Sequence, residues 1–197
     1  MGRLEKIIGV EIIKTYHDEI RLGHTWHEVD VLEDFIMKQK PQHFIEVGIH
    51  EGGLSYLLIP NVMCHYTGIE IDCKIIRPEV INIYKKYIRY TTLICSDCFN
   101  FSTYNYFSSL ENKIIYCDGG HKAQEIAYFK SLLSIGDIIM CHDFYDGTRE
   151  VRGVPKENIS IEVTGNDIQI YENDTAFERL PEDIFGETRI IGWRKIA

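Results

Sequence analysis

Apolar residues in the middle of this chain fall into short unbroken runs: Phe44–Val47, the segment His65–Ile71, Tyr90–Cys95, Ile114–Cys117 and Ile138–Cys141. Runs of this length, rich in β-branched and aromatic residues, predict strands buried on both faces. Between them the apolar positions change to helical spacing. Leu54, Leu57 and Leu58 follow the first run, and Pro78 opens a segment carrying Val80, Ile81, Ile83, Tyr84 and Tyr87. Helices are likewise expected over the aromatic-rich Phe101–Leu110 and over His121–Leu133. Strand alternating with helix predicts right-handed crossovers and an α/β fold, with a mostly parallel sheet covered on both faces.

The ends of the chain differ. Residues 1–40 are expected to form a helical cap, with Val29, Leu32, Phe35 and Ile36 spaced for one face and stopping before Pro41. The denser Ile7, Ile8, Val10, Glu11, Ile12 and Ile13 give no clean stripe. Between them Leu22–His27 reads as a loop with two His and a Trp, either a lid or a packed connection. Beyond residue 143, Phe144–Asn158 reads as loop. Ile159–Val163 and Ile168–Tyr171, separated by Thr164-Gly165-Asn166-Asp167, predict a β-hairpin. Thr188–Ile196 predicts a last strand. The organisation expected is one domain of 197 residues: cap 1–40, core 42–143, and loop with antiparallel strands 144–197.

In a doubly covered parallel sheet, ligands bind beyond the carboxyl ends of the strands. All five predicted strands end in, or run directly into, acidic or Gly-rich elements. The first is Glu46-Val47-Gly48-Ile49-His50-Glu51-Gly52-Gly53. It is a tight turn into a helix, where glycine lets backbone approach a ligand and free N–H groups can hold an anion. His50 stands where the dinucleotide fingerprint needs its second Gly, which disfavours an NAD-binding oxidoreductase.

The spacing E-x-G-x-x-x-G-G resembles the first motif of class I S-adenosylmethionine-dependent methyltransferases, and the resemblance covers roughly residues 42 to 143. It implies a Rossmann-like methyltransferase fold closed by antiparallel C-terminal strands. It also implies S-adenosylmethionine as cofactor, with Glu46, Gly48, His50, Gly52, Gly53 and Ser55 around its amino-acid end; the role of His50 is unassigned. Glu70, 22 positions beyond Gly48, would accept from the ribose hydroxyls beside Ile71, with Asp72 as the competing candidate. Ser96, Asp97 and Cys98 would face the adenine, although Asp97 could instead cap the following helix.

Asp118-Gly119-Gly120-His121 resembles the D-G-x-H element of O-methyltransferases acting on sugars and other small hydroxylated molecules. His142-Asp143 resembles the acidic pair that closes their next strand. Under that resemblance Asp118, His142 and Asp143 would hold Mg²⁺, which would bind and activate the acceptor hydroxyl. Asp118, His121 and Asp143 would be catalytic, with His121 taking the proton. The sequence departs from the pattern in carrying His142 for the commoner second Asp, and no third metal ligand is evident. The expected function is methyl transfer to a small molecule. The alternatives are a non-catalytic S-adenosylmethionine-binding module and, less favoured, the oxidoreductase.

Composition narrows this only slightly. A hydrophobic fraction of 45% and a charged fraction of 26% are ordinary for a soluble globular chain. A net charge of −9 without a basic block disfavours broad nucleic-acid binding. No apolar run is long enough to span a membrane, and a cytoplasmic setting is expected. The six cysteines are expected to be reduced and mostly buried, Cys95-Ser96-Asp97-Cys98 being a lone C-x-x-C. The acceptor's identity and the oligomeric state, homo-oligomer included, are left open.

Overall fold

The computed structural model describes residues 12–14, 19–156, 159 and 161–197. Its centre is a seven-stranded sheet of order β5-β4-β3-β6-β7-β9-β8. The five strands expected from the apolar runs are β3 (His43–Val47), β4 (His65–Glu70), β5 (Thr91–Cys95), β6 (Lys113–Cys117) and β7 (Ile138–Cys141), all parallel. Two short C-terminal strands complete the sheet. β9 (Ile191–Lys195) runs antiparallel to β7, and β8 (Phe177–Arg179) antiparallel to β9.

Alternation along each strand explains why the runs are apolar throughout. Phe44, Tyr66, Ile114, Tyr116, Ile138 and Met140 face one core. It is covered by α1 (Trp26–Gln39), α2 (Gly53–Leu58) and α3 (Pro78–Lys86). Ile45, Val47, Ile69, Ile115, Cys117, Ile139 and Cys141 face the other. That side is covered by α4 (Phe101–Ser108), α5 (Lys122–Phe129) with a 3₁₀ turn to Leu132, and α6 (Gln169–Glu172). Both faces are buried, so successive residues are apolar rather than alternating with polar ones.

Three expectations need correction. The cap is not helical throughout: β1 (Ile12–Lys14) pairs antiparallel with β2 (Glu19–Arg21), a conformation suited to β-branched Ile. Ile7, Ile8, Val10 and Glu11 lie outside the described residues. The helix begins only at Trp26, where Thr25 and Glu28 form a reciprocal capping box. The second correction concerns the C-terminal hairpin. Val163 makes an isolated parallel bridge to Phe144, and residues 169–172 are helical. Asp167 accepts from the Thr164 N–H and hydroxyl, so the turn leads into a helix. Tyr171 is then buried against Trp193, with ring centroids 4.6 Å apart, and donates to the Ile126 carbonyl.

The third correction concerns the cysteines. Cys73 and Cys95 form a disulfide between the loop after β4 and the end of β5. Parallel neighbours emerge at the same edge, and Glu70 pairs in register with Cys95, which brings a cysteine three residues past Glu70 within reach. Cys117 and Cys141 are free and buried, as expected, and Cys64 and Cys98 are free and partly buried. Among the described residues no helix is long and apolar enough to cross a membrane.

At the opposite end of the sheet, Lys113 and Asp137 form a fully buried ion pair at 2.5 Å. Asp137 also accepts from the main-chain N–H groups of Lys113 and Ser134. Removing one partner strands a charge in the core, so Lys113→Met should destabilise the fold by about 3–5 kcal/mol in urea unfolding. Adding Asp137→Asn should recover a large part of that loss; a double variant as unstable as the single one would refute the ion-pair origin of the effect.

Candidate active site

The strand order reverses direction between β3 and β6, whose carboxyl ends therefore diverge into separate loops. This is the switch point at which sheets of this kind bind ligands. Gly48 leaves β3 at φ 85°, and a Cβ there would stand 2.4 Å from the Gly119 Cα. The two loops thus approach backbone to backbone, a packing that only glycine permits. Gly53 has a different reason for being glycine: its Cβ would lie 2.5 Å from the Arg21 carbonyl, where the end of β2 crosses the first turn of α2.

Two hollows flank this contact. One, of about 240 Å³, is lined by Glu70, Ile71, Ser96, Asp97, Cys98 and His121, among others. The second, of about 370 Å³, is lined by Leu22, His24, Glu46, Lys122, His142 and Asp143 with others. Gly48, His50, Asp118, Gly119 and Gly120 line both. A larger hollow of about 610 Å³ opens at the amino ends of the strands, around Pro41, Met63 and Tyr90, and contains none of the sequence-predicted site residues.

Glu70 is nearly buried, and each of its carboxylate oxygens accepts a main-chain N–H, from His50 at 2.8 Å and from Asp72 at 3.1 Å. These bonds fix the carboxylate at the strand end and leave it lone pairs for a ligand. His50 takes a left-handed φ of 54° to make its bond. Asp97 is not a helix cap: Asn100 caps α4, while Asp97 accepts from the Phe99 N–H and sits at the rim. Gly52, Gly53 and Ser55 line neither hollow. Ser55 instead donates to Glu46, which also accepts from the Tyr66 hydroxyl at 2.7 Å. Burial pushes the Glu46 carboxyl up to about 8.

The Asp118 loop is held from below by Glu125, which accepts from the Gly119 and His121 N–H groups. Burial raises its carboxyl to about 7. The His121 side chain is exposed and lines the first hollow. Asp118 itself faces the second hollow and three nitrogen-bearing side chains. His142 Nδ1 lies 3.1 Å away, His24 Nε2 3.5 Å and Lys122 Nζ 3.5 Å. Burial opposes its charge, but His142, His24 and Lys122 outweigh that and hold its carboxyl well below the usual range.

The two histidines differ in charge because they differ in their neighbours. The His24 ring shares one hydrogen with the Leu22 carbonyl through Nδ1, so Nε2 accepts from the Tyr116 hydroxyl at 2.8 Å. Burial, with His142 beside it, lowers His24 to about 4. His142 stacks on it at 4.1 Å. Burial also works against charge on His142, but Asp118, Glu28 and Asp143 prevail and push it up to about 9. Its Nε2 lacks a hydrogen bond and stands 3.4 Å from Glu28, an ion-pair distance.

Sequence reading missed His24, Glu28, Lys122 and Arg189. Glu28 caps α1 and also grips Arg189, accepting from its main-chain N–H at 2.8 Å, from Nε at 3.0 Å and from Nη2 at 2.8 Å. Arg189 reaches on to Asp143 at 2.8 Å. The only local signal for any of these was Thr25-x-x-Glu28, which spells a capping box.

These residues do not fit the Mg²⁺ that the sequence resemblance implied. One Asp143 oxygen is taken by Arg189 and the other lies 3.2 Å from Lys122, so Asp143 shares cationic side chains, not an ion, with Asp118. His24, Asp118 and His142 do bring ligand atoms within 4.8 Å of one another. Two imidazoles and one carboxylate suit borderline metals better than Mg²⁺. Both imidazoles are already engaged, as described.

The sequence matches no protein-family model and no curated protein. Solved structures do match. The O-methyltransferase TomG from Streptomyces achromogenes, a complex with SAM, superposes with a TM-score of 0.61 at 9% identity, covering 89% of this chain and 82% of its own. A methyltransferase from Geobacter sulfurreducens gives 0.58 at 13%, covering 86% and 80%. CmcI gives 0.59 at 15%, covering 90% and 74%. The chain therefore has the Rossmann-like methyltransferase fold.

Glu46 offers a test of the buried electrostatics. Its carboxyl is raised from 4.5 to about 8, so the fold carries it protonated and unfolding releases the proton. Its contribution to stability is full below about pH 4.5 and is lost as pH rises toward 8. Glu46→Gln should match wild type near pH 4.5 and exceed it increasingly up to pH 8, by at most about 1.4 kcal/mol per pH unit. Thermal unfolding across that range measures it; a difference independent of pH would mean that Glu46 is ionised in the fold.

Proposed function

We propose that this protein transfers a methyl group from S-adenosylmethionine to a hydroxyl oxygen of a small molecule. The observation that carries the proposal is the meeting of two hollows at the switch point, with Gly48, His50, Asp118, Gly119 and Gly120 common to both. One hollow has the residues to hold a nucleoside, and the other is polar and has room for an acceptor. The fold similarity to methyltransferases supports the same reading.

When bound, S-adenosylmethionine supplies an electrophilic methyl group on a positively charged sulfur. The rest falls to the chain. Glu70, pinned by two main-chain N–H groups, would accept hydrogen bonds from the ribose hydroxyls through its remaining lone pairs. Asp97, which lines the same hollow as Ser96 and Cys98, would take the adenine amino group. The Gly48–Gly119 contact keeps the floor free of side chains, so both ligands can come close. Asp118, ionised through its cationic neighbours, puts negative charge at the junction and favours a cationic ligand there.

Methyl transfer is an in-line displacement in which the acceptor oxygen loses its proton, and most of the acceleration comes from holding the two reactants in line. His50, at the junction, and His121, at the edge of the first hollow, are the exposed imidazoles available to take that proton. His142 already carries one, and the free Nε2 lone pair of His24 is occupied by Tyr116. No step is assigned to a divalent cation. The Leu22–His24 stretch walls the second hollow. The acceptor is read as a small diffusible molecule and the setting as cytoplasmic.

Glu70→Ala should weaken S-adenosylhomocysteine binding about tenfold or more in calorimetry, a loss of ~1.4 kcal/mol, with the circular dichroism spectrum unchanged. Asp118→Ala should retain the fold and lose transfer of labelled methyl to hydroxylated acceptors. Thermal stabilisation of the wild type by NAD but not by S-adenosylhomocysteine would reject the assignment. Cofactor binding without transfer to any acceptor would leave a binding module instead.

A further inference from the structure

Lys122 is the first residue of α5, and its side chain turns back over the Asp118 loop toward the second hollow. Four oxygens from three separate parts of the chain surround its ammonium. The Glu162 carboxylate lies at 2.9 Å, the Gly119 carbonyl at 3.0 Å, the Asp143 carboxylate at 3.2 Å and the Asp118 carboxylate at 3.5 Å. Three carboxylates and a main-chain carbonyl are the donor set that a hard divalent cation selects. Here the chain supplies the cation itself.

The surrounding charges leave no place for a second one. Starting from Glu28, ion-pair contacts run to Arg189, Asp143, Lys122, Asp118, His142 and back to Glu28. Acids and bases alternate around this ring, three of each. A Mg²⁺ ion among Asp118, Asp143 and Glu162 would have to displace a buried ammonium and leave that charge without a partner, an arrangement costly in a protein interior.

We propose that Lys122 is the resident cation of the acceptor side, occupying the oxygen cage that a divalent metal would take and making the site independent of Mg²⁺. Lys122 is then a positioning residue: it fixes Asp118, Asp143 and Glu162 around its ammonium at the wall of the second hollow. Its neighbours hold its proton more tightly than an ordinary lysine would, burial notwithstanding, so it takes no part in proton transfer. The term acceptor side rests on the methyltransferase reading; the occupation of the cage does not.

The test is a Mn²⁺ titration of the full chain, followed by electron paramagnetic resonance, with Mn²⁺ standing in for Mg²⁺. Wild type should take up no stoichiometric Mn²⁺ at millimolar concentration, and any methyl transfer should survive chelator. Lys122→Ala should empty the cage and bind one Mn²⁺ about tenfold or more tighter than wild type, a gain that Asp143→Asn in the same chain should abolish. Lys122→Met, which keeps the apolar stem, replaces the Ala variant if that one fails to fold.

Stoichiometric Mn²⁺ on wild type that is lost in Asp118→Asn would overturn the proposal. So would a folded Lys122 variant that binds none, since the oxygens would then be no cage. S-adenosylhomocysteine calorimetry on the same samples separates the two readings. Loss of that binding in wild type would sink the transferase assignment and leave the metal result standing by itself.

Discussion

The structure depends on a closed circuit of opposite charges buried where four separate parts of the chain meet. Glu28 comes from the first turn of α1, Asp118 and Lys122 from the loop and helix after β6, His142 and Asp143 from the end of β7, and Arg189 from the segment before β9. None of these groups could be left alone at this depth, because an uncompensated buried charge costs several kcal/mol. Each is therefore held by its neighbours, and together they tie the N-terminal helix and the C-terminal segment to the ends of the sheet. The circuit fixes both the shape and the polarity of the second hollow.

This arrangement explains why the carboxylates at the switch point behave differently from one another. Asp118 is surrounded by positive groups and stays ionised. Glu46, on the wall of the second hollow, and Glu125, on that of the first, are bonded to hydroxyls or to main-chain N–H groups, with no cation strong enough to offset burial, and their carboxyls rise to about 8 and about 7. They support the loops that carry Gly48 and Gly119. Glu70 stands apart, fixed by two N–H groups at the mouth of the first hollow. Position on the sheet edge thus separates residues of the same chemistry: Glu46 and Glu125 brace loops, Asp118 carries local charge, and Glu70, under the proposed function, contacts the ligand.

Much of the first hollow was legible in the sequence. Gly48, Glu70, Asp97 and Asp118 each lie at or just beyond the carboxyl end of an apolar run, and in a parallel sheet all such ends emerge on one side. The local pattern could not separate the residues that line the hollow from those beneath it. Ser55 and Glu46 turned toward each other, and Gly53 answered to the chain crossing above it. The hairpin was misread because Ile168 and Ile170 fit alternation while Ile168 and Tyr171 fit a helical face, and the packing of Tyr171 on Trp193 decides for the helix. The disulfide was missed because no paired cysteine spacing along the chain announces it, whereas strand register brings Cys73 to Cys95.

Periodicity and strand-end chemistry, properties of neighbours along the chain, determined the parallel sheet, the order of its core elements and the edge on which a ligand would sit. The partners of the charged groups were decided only in three dimensions. Glu28 and Arg189 are 161 positions apart, and nothing local to either foretells the other, since any buried acid can be satisfied by any base that the fold delivers. For the same reason the sequence offered Asp118 and Asp143 as ligands to an ion, and packing placed the Lys122 ammonium between them.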